Sequence, residues 1–223
     1  MKSANGIFLA IVICAVLAVA VFFLVDLSAD KVYASPEEAF QAARVALQKN
    51  DMRTWCRCLT DDSRDMLLLE SIELTPKETL EIAPNEKKAI IRAKVDAQAK
   101  HGLTEEYLFK MQDEFLDLQK RKVPLEGQLR FARKLLAPVS DPNALFADLI
   151  NVTVKESGGR NPFSSLADAK LNEVKVSGKT AEGTISGGRG PSPFYFRKQG
   201  DGWRIDLIGP EQRQTPPPPA FHR

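Results

Sequence analysis

Cysteine and histidine are the residues of this chain whose types and spacing would allow redox or metal chemistry. The chain has three cysteines, Cys14, Cys56 and Cys58, and two histidines, His101 and His222. A disulfide between residues two apart would be strained, and one Cys-x-Cys pair supplies too few ligands for a zinc site. The sequence therefore predicts neither a metal site nor a bound cofactor.

The two cysteines of the Cys-x-Cys pair have different predicted environments. Cys56 has helical spacing to Met52, Trp55 and Leu59, which predicts a place in the core. Cys58 points away from this apolar face, so we expect it to be exposed and open to redox chemistry. Thiol reactivity also needs an electropositive setting, and packing stays the first interpretation of the pair.

Two glycine-rich stretches resemble functional loops in composition alone. Residues 187–190 join two predicted strands and do not open a helix, so they lack the geometry that cradles phosphate. Residues 158–162 are a turn cluster. The sequence has no Gly-x-Ser-x-Gly motif, no His-Glu-x-x-His motif and no set of nucleophile and base.

The chain begins with one long apolar segment. The nineteen residues from Ile7 to Val25 include no polar side chain, and as a helix they would span about 28 Å, which matches the hydrocarbon core of a bilayer. We expect an uncleaved transmembrane anchor. A signal peptide cleaved before Ser35 and a lipoprotein modified at Cys14 are the alternatives, but the apolar stretch of a signal peptide is shorter.

Charge predicts the orientation of the chain and excludes some partners. Lys2 precedes the apolar segment, and Asp26 and Asp30 follow it, so the positive-inside rule predicts a cytoplasmic N-terminus and a body exported to the periplasmic or extracellular side. The chain has 31 basic and 29 acidic side chains. This balance predicts no nucleic-acid surface, and the predicted contact with the lipid bilayer is through residues 7–25.

Helices are predicted through most of the body. Ser35-Pro36-Glu37-Glu38 combines a cap, a first-turn proline and two acids, which is typical of a helix start. Further helices are predicted from about residues 51, 62, 75, 85, 104, 125 and 141. In the helix capped by Thr104, an apolar stripe predicts core packing or, alternatively, a groove for a partner helix; it consists of Tyr107, Leu108, Met111, Phe115 and Leu118.

The pattern changes to strands from Leu149 onward. Residues 151–154 alternate as a strand would, and residues 171–186 and 193–208 predict two hairpins. Helices first and an antiparallel sheet last indicate an α+β fold. The predicted layout is an N-terminus and anchor at 1–25, a connector at 26–34, an α+β domain at 35–209 and a proline-rich tail at 210–223, which is predicted to be extended at residues 215–219.

Both ends of the body have features in common with a known superfamily. These features are the opening from Ser35 to Phe40, a second helix that carries Trp55, and a closing hairpin with Phe194-Tyr195-Phe196 and Trp203-Arg204-Ile205. In them the chain resembles the nuclear transport factor two-like superfamily, whose bacterial members include many membrane-tethered proteins of unknown role. The resemblance implies helices folded against a curved antiparallel sheet as a cone, with residues 72–148 as a helical insertion.

Enzymatic relatives in this superfamily, such as ketosteroid isomerases and SnoaL-like cyclases, hold a carboxylate and a tyrosine or histidine inside the cone. The resemblance implies that such a pair would come from Asp206, Tyr195, Asp148 or Glu173. A catalytic base needs an enclosed apolar setting. We instead expect Asp206 to form a cross-strand ion pair with Arg197 on the solvated face of the sheet.

The sequence leaves three functions open. The first is a membrane-anchored, extracytoplasmic domain that binds a protein or a small ligand and has no catalytic site. The second is an isomerase- or cyclase-type enzyme that uses the cavity of the cone. The third is a structural component of the envelope, whose helical insertion packs against a partner.

Overall fold

The structure of the chain is a computed structural model, which describes residues 32–74, 76–121, 123–187 and 190–214. The predicted anchor at residues 7–25 and the prolines at 216–219 lie outside these ranges. Within them, no helix combines the length and the hydropathy that crossing a bilayer requires. The described residues form helices and one antiparallel sheet, which confirms the α+β class.

The helices of the described ranges begin close to the predicted starts. They are α1 Pro36–Gln48, α2 Met52–Arg57, α3 Asp61–Ser71, α4 Pro76–Ile82, α5 Asn85–Lys100, α6 Glu105–Arg121, α7 Leu125–Leu135, α8 Pro142–Glu156, α9 Ser164–Ala167 and α10 Pro210–Gln214. The short helix α10 was not predicted; it lies at the start of the segment assigned to the tail, before residues 215–219, which were predicted to be extended and lie outside the described ranges. Ion pairs made by Arg213, described below, hold this helix on the domain.

The start of α1 shows the predicted capping. The Ser35 hydroxyl accepts a hydrogen bond from the Glu38 N–H (3.2 Å), and the Glu38 carboxylate accepts one from the Ala34 N–H (2.9 Å). Each of these two side chains therefore satisfies one backbone N–H at the start of the helix. This cap fixes where α1 begins and places Phe40 on the buried face of the helix.

The sheet contains the two predicted hairpins. Its strands are β1 Lys170–Ser177, β2 Thr180–Ser186, β3 Ser192–Gln199 and β4 Gly202–Asp206, paired antiparallel in the order β1-β2-β3-β4. In the register of β3 and β4, Phe196 lies opposite Ile205 and Tyr195 lies opposite Asp206. Because side chains alternate along a strand, the first pair faces one side of the sheet and the second pair faces the other.

The two edges of the sheet differ. At the β4 edge, the Ile205 N–H donates to the Cys58 carbonyl oxygen and the Thr60 N–H donates to the Ile205 carbonyl oxygen, both at 2.8 Å. The β1 edge is mostly exposed and has an irregularity between Asn172 and Lys175. A bulged, charged edge discourages pairing with a further strand, whereas the β4 edge is already paired with the segment after α2.

Residues 151–154 lie in α8, so the strand predicted there is wrong. The Thr153 hydroxyl donates to the Leu149 carbonyl oxygen one turn back (3.1 Å), as it does in helices. Packing decides this segment against its β propensity, because four side chains at helical spacing are buried on one face. They are Leu145, Phe146, Leu149 and Ile150.

Helix α6 is packed along half of its length. Leu108 and Met111 are buried, and no residue of α6 after Met111 is. Phe115 is half-buried and stacks on Phe131 of α7, with ring centroids 5.8 Å apart. The apolar stripe predicted for this helix is therefore core in its first half and lines surface clefts in its second.

Candidate functional site

The space between the helices and the sheet is filled by side chains. Phe40 of α1 meets Phe194 of β3 edge to face, with centroids 5.4 Å apart, and Trp55 and Ile205 complete this region. The cavity that remains among them measures about 10 Å³. A single water molecule needs about 10–15 Å³, so this cavity is too small for a substrate.

A groove of about 290 Å³ lies on the opposite face of the sheet, and it brings two of the predicted site residues together. Tyr195 and Asp206 are register partners on β3 and β4, and both line this groove. Its other charged residues are Lys175, Glu182, Arg197 and Arg213.

Asp206 is buried, which corrects the prediction of a solvated site for it. The predicted contact with Arg197 is present at 3.4 Å, but Arg213 of α10 binds both carboxylate oxygens, at 2.9 and 3.1 Å. The Ser63 hydroxyl of α3 donates to the same carboxylate at 3.1 Å. Because α3 and α10 cover this end of the sheet, only 6% of Asp206 is exposed. Both oxygens already accept hydrogen bonds, so Asp206 is poorly placed to act as a base.

A second carboxylate, Asp62 of α3, joins Asp206 in one ionic network. Arg197 approaches Asp62 to 2.6 Å, Arg213 to 3.0 Å and Arg133 of α7 to 2.7 Å. Burial acts to raise the pKa of Asp62, but the hydrogen bonds from Arg197 and Arg213 outweigh it and hold this pKa below its ordinary value. The network links α3, α7, the sheet and α10 by ion pairs, so its role is to hold these elements together.

Tyr195 is half-buried in the groove, with its ring against the backbone of Gly209. Burial, followed by the negative charges of Glu182 and Glu211, raises the pKa of Tyr195. The phenol therefore stays protonated near neutral pH and is a hydrogen-bond donor. Together with the engaged carboxylate of Asp206, this gives a polar binding groove and no pair of acid and base.

The other two predicted carboxylates lie outside the groove. Asp148 of α8 accepts hydrogen bonds from Lys100 and His101, both at 2.8 Å. Glu173 is exposed at the irregular edge of β1, where its φ is 53°. Four residues were implied as site candidates, and the fold brings only Tyr195 and Asp206 together.

The two cysteines are both buried, so the predicted exposure of Cys58 is wrong. Its thiol donates to the Thr54 carbonyl oxygen and lies 3.3 Å from the Tyr33 hydroxyl, because the chain after α2 turns beneath Tyr33 to pair with β4. Cys56 lies in the core as predicted, and burial raises the pKa of its thiol far above the ordinary value. Across the described ranges, no three histidine, cysteine or acidic side chains are grouped as a metal would require.

Two clefts lie beside the unpacked end of α6. One cleft of about 870 Å³ lies between α6, α7 and α10, and another of about 450 Å³ lies between α3, α6 and α7. Leu118 and Val123 line both clefts. The apolar stripe of α6 was the sequence signal for this region, because it predicted either core packing or a groove for a partner helix.

Sequence reasoning missed Asp62 and Arg213. Asp62 follows the cap Thr60 in the first turn of α3, where an acid is ordinary and indicates nothing more. Arg213 lies next to a proline-rich stretch that predicts an extended chain. No family model, no curated protein and no solved structure matches this chain, so the arrangement of its residues carries the functional argument.

Proposed function

We propose that this protein is a membrane-anchored, extracytoplasmic interaction domain without a catalytic site. Residues 7–25 hold it in the bilayer, and the folded body binds a protein or a small ligand with its outer surface. The observation that carries the proposal is the filled space between helices and sheet, where about 10 Å³ remains. The hollows large enough for a partner lie outside, beside α6 and on the outer face of the sheet.

The state of the carboxylates supports binding over catalysis. Asp206 and Asp62 each accept charged hydrogen bonds from two or more arginines. A general base must be free to accept the substrate's proton, and the oxygens of both carboxylates are already engaged by these arginines. The resemblance to the nuclear transport factor two-like superfamily stays a prediction, and the folds of that superfamily serve many functions.

Cysteine labelling tests the membrane topology. Lys49→Cys introduces a thiol at an exposed position after α1, and we expect a membrane-impermeant maleimide to label it in intact cells or in cells with only the outer envelope opened. The wild-type chain is the matched control, because Cys56 and Cys58 are buried and Cys14 belongs to the proposed anchor. Labelling that requires lysis of the inner membrane would contradict the exported orientation.

Site-specific photo-crosslinking in the native membrane tests the interaction itself. One crosslinker replaces Glu126 at the 870 Å³ cleft, and a second replaces Thr180 at the groove on the sheet. Glu156, exposed at the end of α8, is the control position. We expect a discrete adduct from at least one of the two test positions and none from the control. Uncrosslinked monomer at every position would overturn the proposal.

A further inference from the structure

Helix α6 has a second apolar stripe, which faces away from the core. Phe109 is 72% exposed, and Leu116, seven residues later, is only half-buried. At about 100° per residue these two side chains lie on the same face of the helix. Met111 lies on roughly the opposite side and Leu108 about 100° away from Phe109, and both are buried. An exposed phenylalanine at heptad spacing from a leucine is typical of a helix that packs against another helix.

The two end turns of α6 carry opposite charges. Its first turn carries Glu105 and Glu106, and its last turn carries Lys120 and Arg121. A second copy of this helix lying parallel would place acid beside acid and base beside base. An antiparallel copy places the acidic turn of each helix beside the basic turn of the other and also aligns the helix dipoles favourably.

One antiparallel register makes the whole exposed face complementary. When the two helices are centred between Gln112 and Asp113, the numbers of facing residues add to 225. Phe109 then faces Leu116 of the other copy, Glu105 faces Lys120, and Gln112 faces Asp113. All these side chains lie within about 100° of one another on the surface of α6. The pairs are apolar with apolar, acid with base, and amide donor with carboxylate acceptor.

We propose that a second copy of this chain covers this face, and that the protein self-associates through antiparallel pairing of α6. The proposal rests on the proposed function and names its partner. The face involved is defined by Glu105, Phe109, Gln112, Asp113, Leu116 and Lys120.

The size of the contact sets its strength. A helix of 17 residues is about 25 Å long, so one helix pair buries less than the roughly 1,200–2,000 Å² of a standard stable interface. The association is therefore weak in dilute solution. Anchoring both copies in one bilayer raises their effective concentration without any new contact, so the test uses the full chain in lipid vesicles.

Crosslinking near the proposed two-fold axis tests the pairing. Asp113 is exposed, and Asp113→Cys in the reconstituted full chain is expected to give a covalent dimer with a short bismaleimide. Glu156→Cys and the wild-type chain are the controls and remain monomeric. Adding Phe109→Asp to Asp113→Cys is expected to lower the dimer yield at least fivefold. Adding Ile82→Asp instead is expected to leave the dimer yield unchanged. Ile82 is the matched control, because it is also a large exposed apolar side chain (85% exposed) and lies on α4.

A charge exchange tests the direction of the pair. In the antiparallel register, Glu105→Lys and Lys120→Glu each place like charges together and lower the dimer yield, and the double variant restores it. In a parallel pair residue 105 would face residue 105, so the single exchanges would leave like charges as they were. Equal yields from both single variants and the unexchanged chain would therefore overturn the antiparallel pairing.

The outcomes separate this inference from the proposed function. If Asp113→Cys stays monomeric while the crosslinkers at Glu126 or Thr180 capture a different protein, self-association is wrong and the interaction function stands. If no position gives an adduct, both are wrong. Circular dichroism of each variant checks that the fold is retained, which the exposure of Phe109 leads us to expect.

Discussion

Arg213 binds both carboxylate oxygens of Asp206 through one guanidinium nitrogen, at 2.9 and 3.1 Å, and this contact holds α10 against the last strand of the sheet. The same guanidinium reaches Asp62 at 3.0 Å. A residue outside the sheet thus pairs with two carboxylates, of which Asp206 is buried and Asp62 is partly exposed. Charge-assisted hydrogen bonds of this kind are about twice as strong as neutral ones, so we assign this pair to stability.

Replacing Asp206 by asparagine tests that assignment. Asp206→Asn leaves Arg213 and Arg197 with Asp62 as their remaining carboxylate and removes the charged acceptor of the buried Ser63 hydroxyl. We expect it to lower the free energy of unfolding by about 1–3 kcal/mol. Urea denaturation of the full chain measures this. Arg121→Ala is the control, because it removes an exposed pair with Asp117 and should cost less than about 0.5 kcal/mol. An Asp206→Asn variant as stable as wild type would show that the ion pairs of Asp206 do not stabilise the fold.

The acid limb of stability should depend on Asp62. Its folded pKa lies below the ordinary 3.8, so its contribution is fully present above the ordinary pKa and is lost as pH falls through the lower folded pKa. We expect Asp62→Asn to be less stable than wild type at pH 7 and to lose less stability on acidification below about pH 4. Midpoints of urea denaturation between pH 7 and pH 2.5 measure both effects.

Asp65, two residues beyond Ser63 on the same helix, supplies the opposite case. Burial raises its pKa despite the neighbouring Arg64 at 2.9 Å. A raised carboxyl pKa disfavours the folded state at neutral pH and ceases to do so as the group is protonated. Asp65→Asn is therefore expected to make the acid loss of stability steeper, whereas Asp62→Asn makes it shallower. Shifts of the same sign in both variants would contradict these electrostatic assignments.

Cys56 and Cys58 should not react in the folded protein. Cys58 is fully buried between Thr54 and Tyr33, and burial raises the pKa of Cys56. Because the thiolate is the reactive form, we expect neither to be labelled by a maleimide at pH 7.5 until urea unfolds the chain. An added Lys49→Cys supplies the exposed reference thiol. Labelling of Cys58 at the rate of that reference would restore the redox role first considered for it.

What the sequence predicts well is what local interactions decide. Ser35 and Glu38 cap α1 from three residues apart, and the hairpin turns lie between strands of matching alternation. The burial of Asp206 depends instead on Ser63, which is 143 residues away. Cys58 is buried because its carbonyl oxygen pairs with β4. No pattern within one segment contains such contacts, so the two misplaced residues are those whose surroundings come from distant parts of the chain.

The aromatic cluster around Trp55 should be the most sensitive part of the core to truncation. Its ring lies 4.2 Å from that of Phe163 and 5.6 Å from that of Phe146, and it joins α2 to α8 and to the loop before α9. We expect Trp55→Ala to cost about 3–5 kcal/mol, since the cavity adds to the lost burial. Phe109→Ala removes an exposed ring and should cost under about 0.5 kcal/mol. Thermal or urea unfolding of both variants measures the two losses of stability. Losses of similar size would contradict the prediction.

Replacing Glu173 by glycine should stabilise the folded protein, which would indicate backbone strain at this position and not a catalytic role. Its φ of 53° lies in the left-handed region, which costs a residue with a side chain about 1–2 kcal/mol. Glycine adopts this conformation without that cost but loses about 0.5–1 kcal/mol more in chain entropy. Glu173→Gly is therefore expected to raise the free energy of unfolding by about 0.5–1 kcal/mol. Glu173→Ala retains the strain and should give no gain, and a loss of stability in the glycine variant would show that the glutamate side chain itself stabilises the bulge.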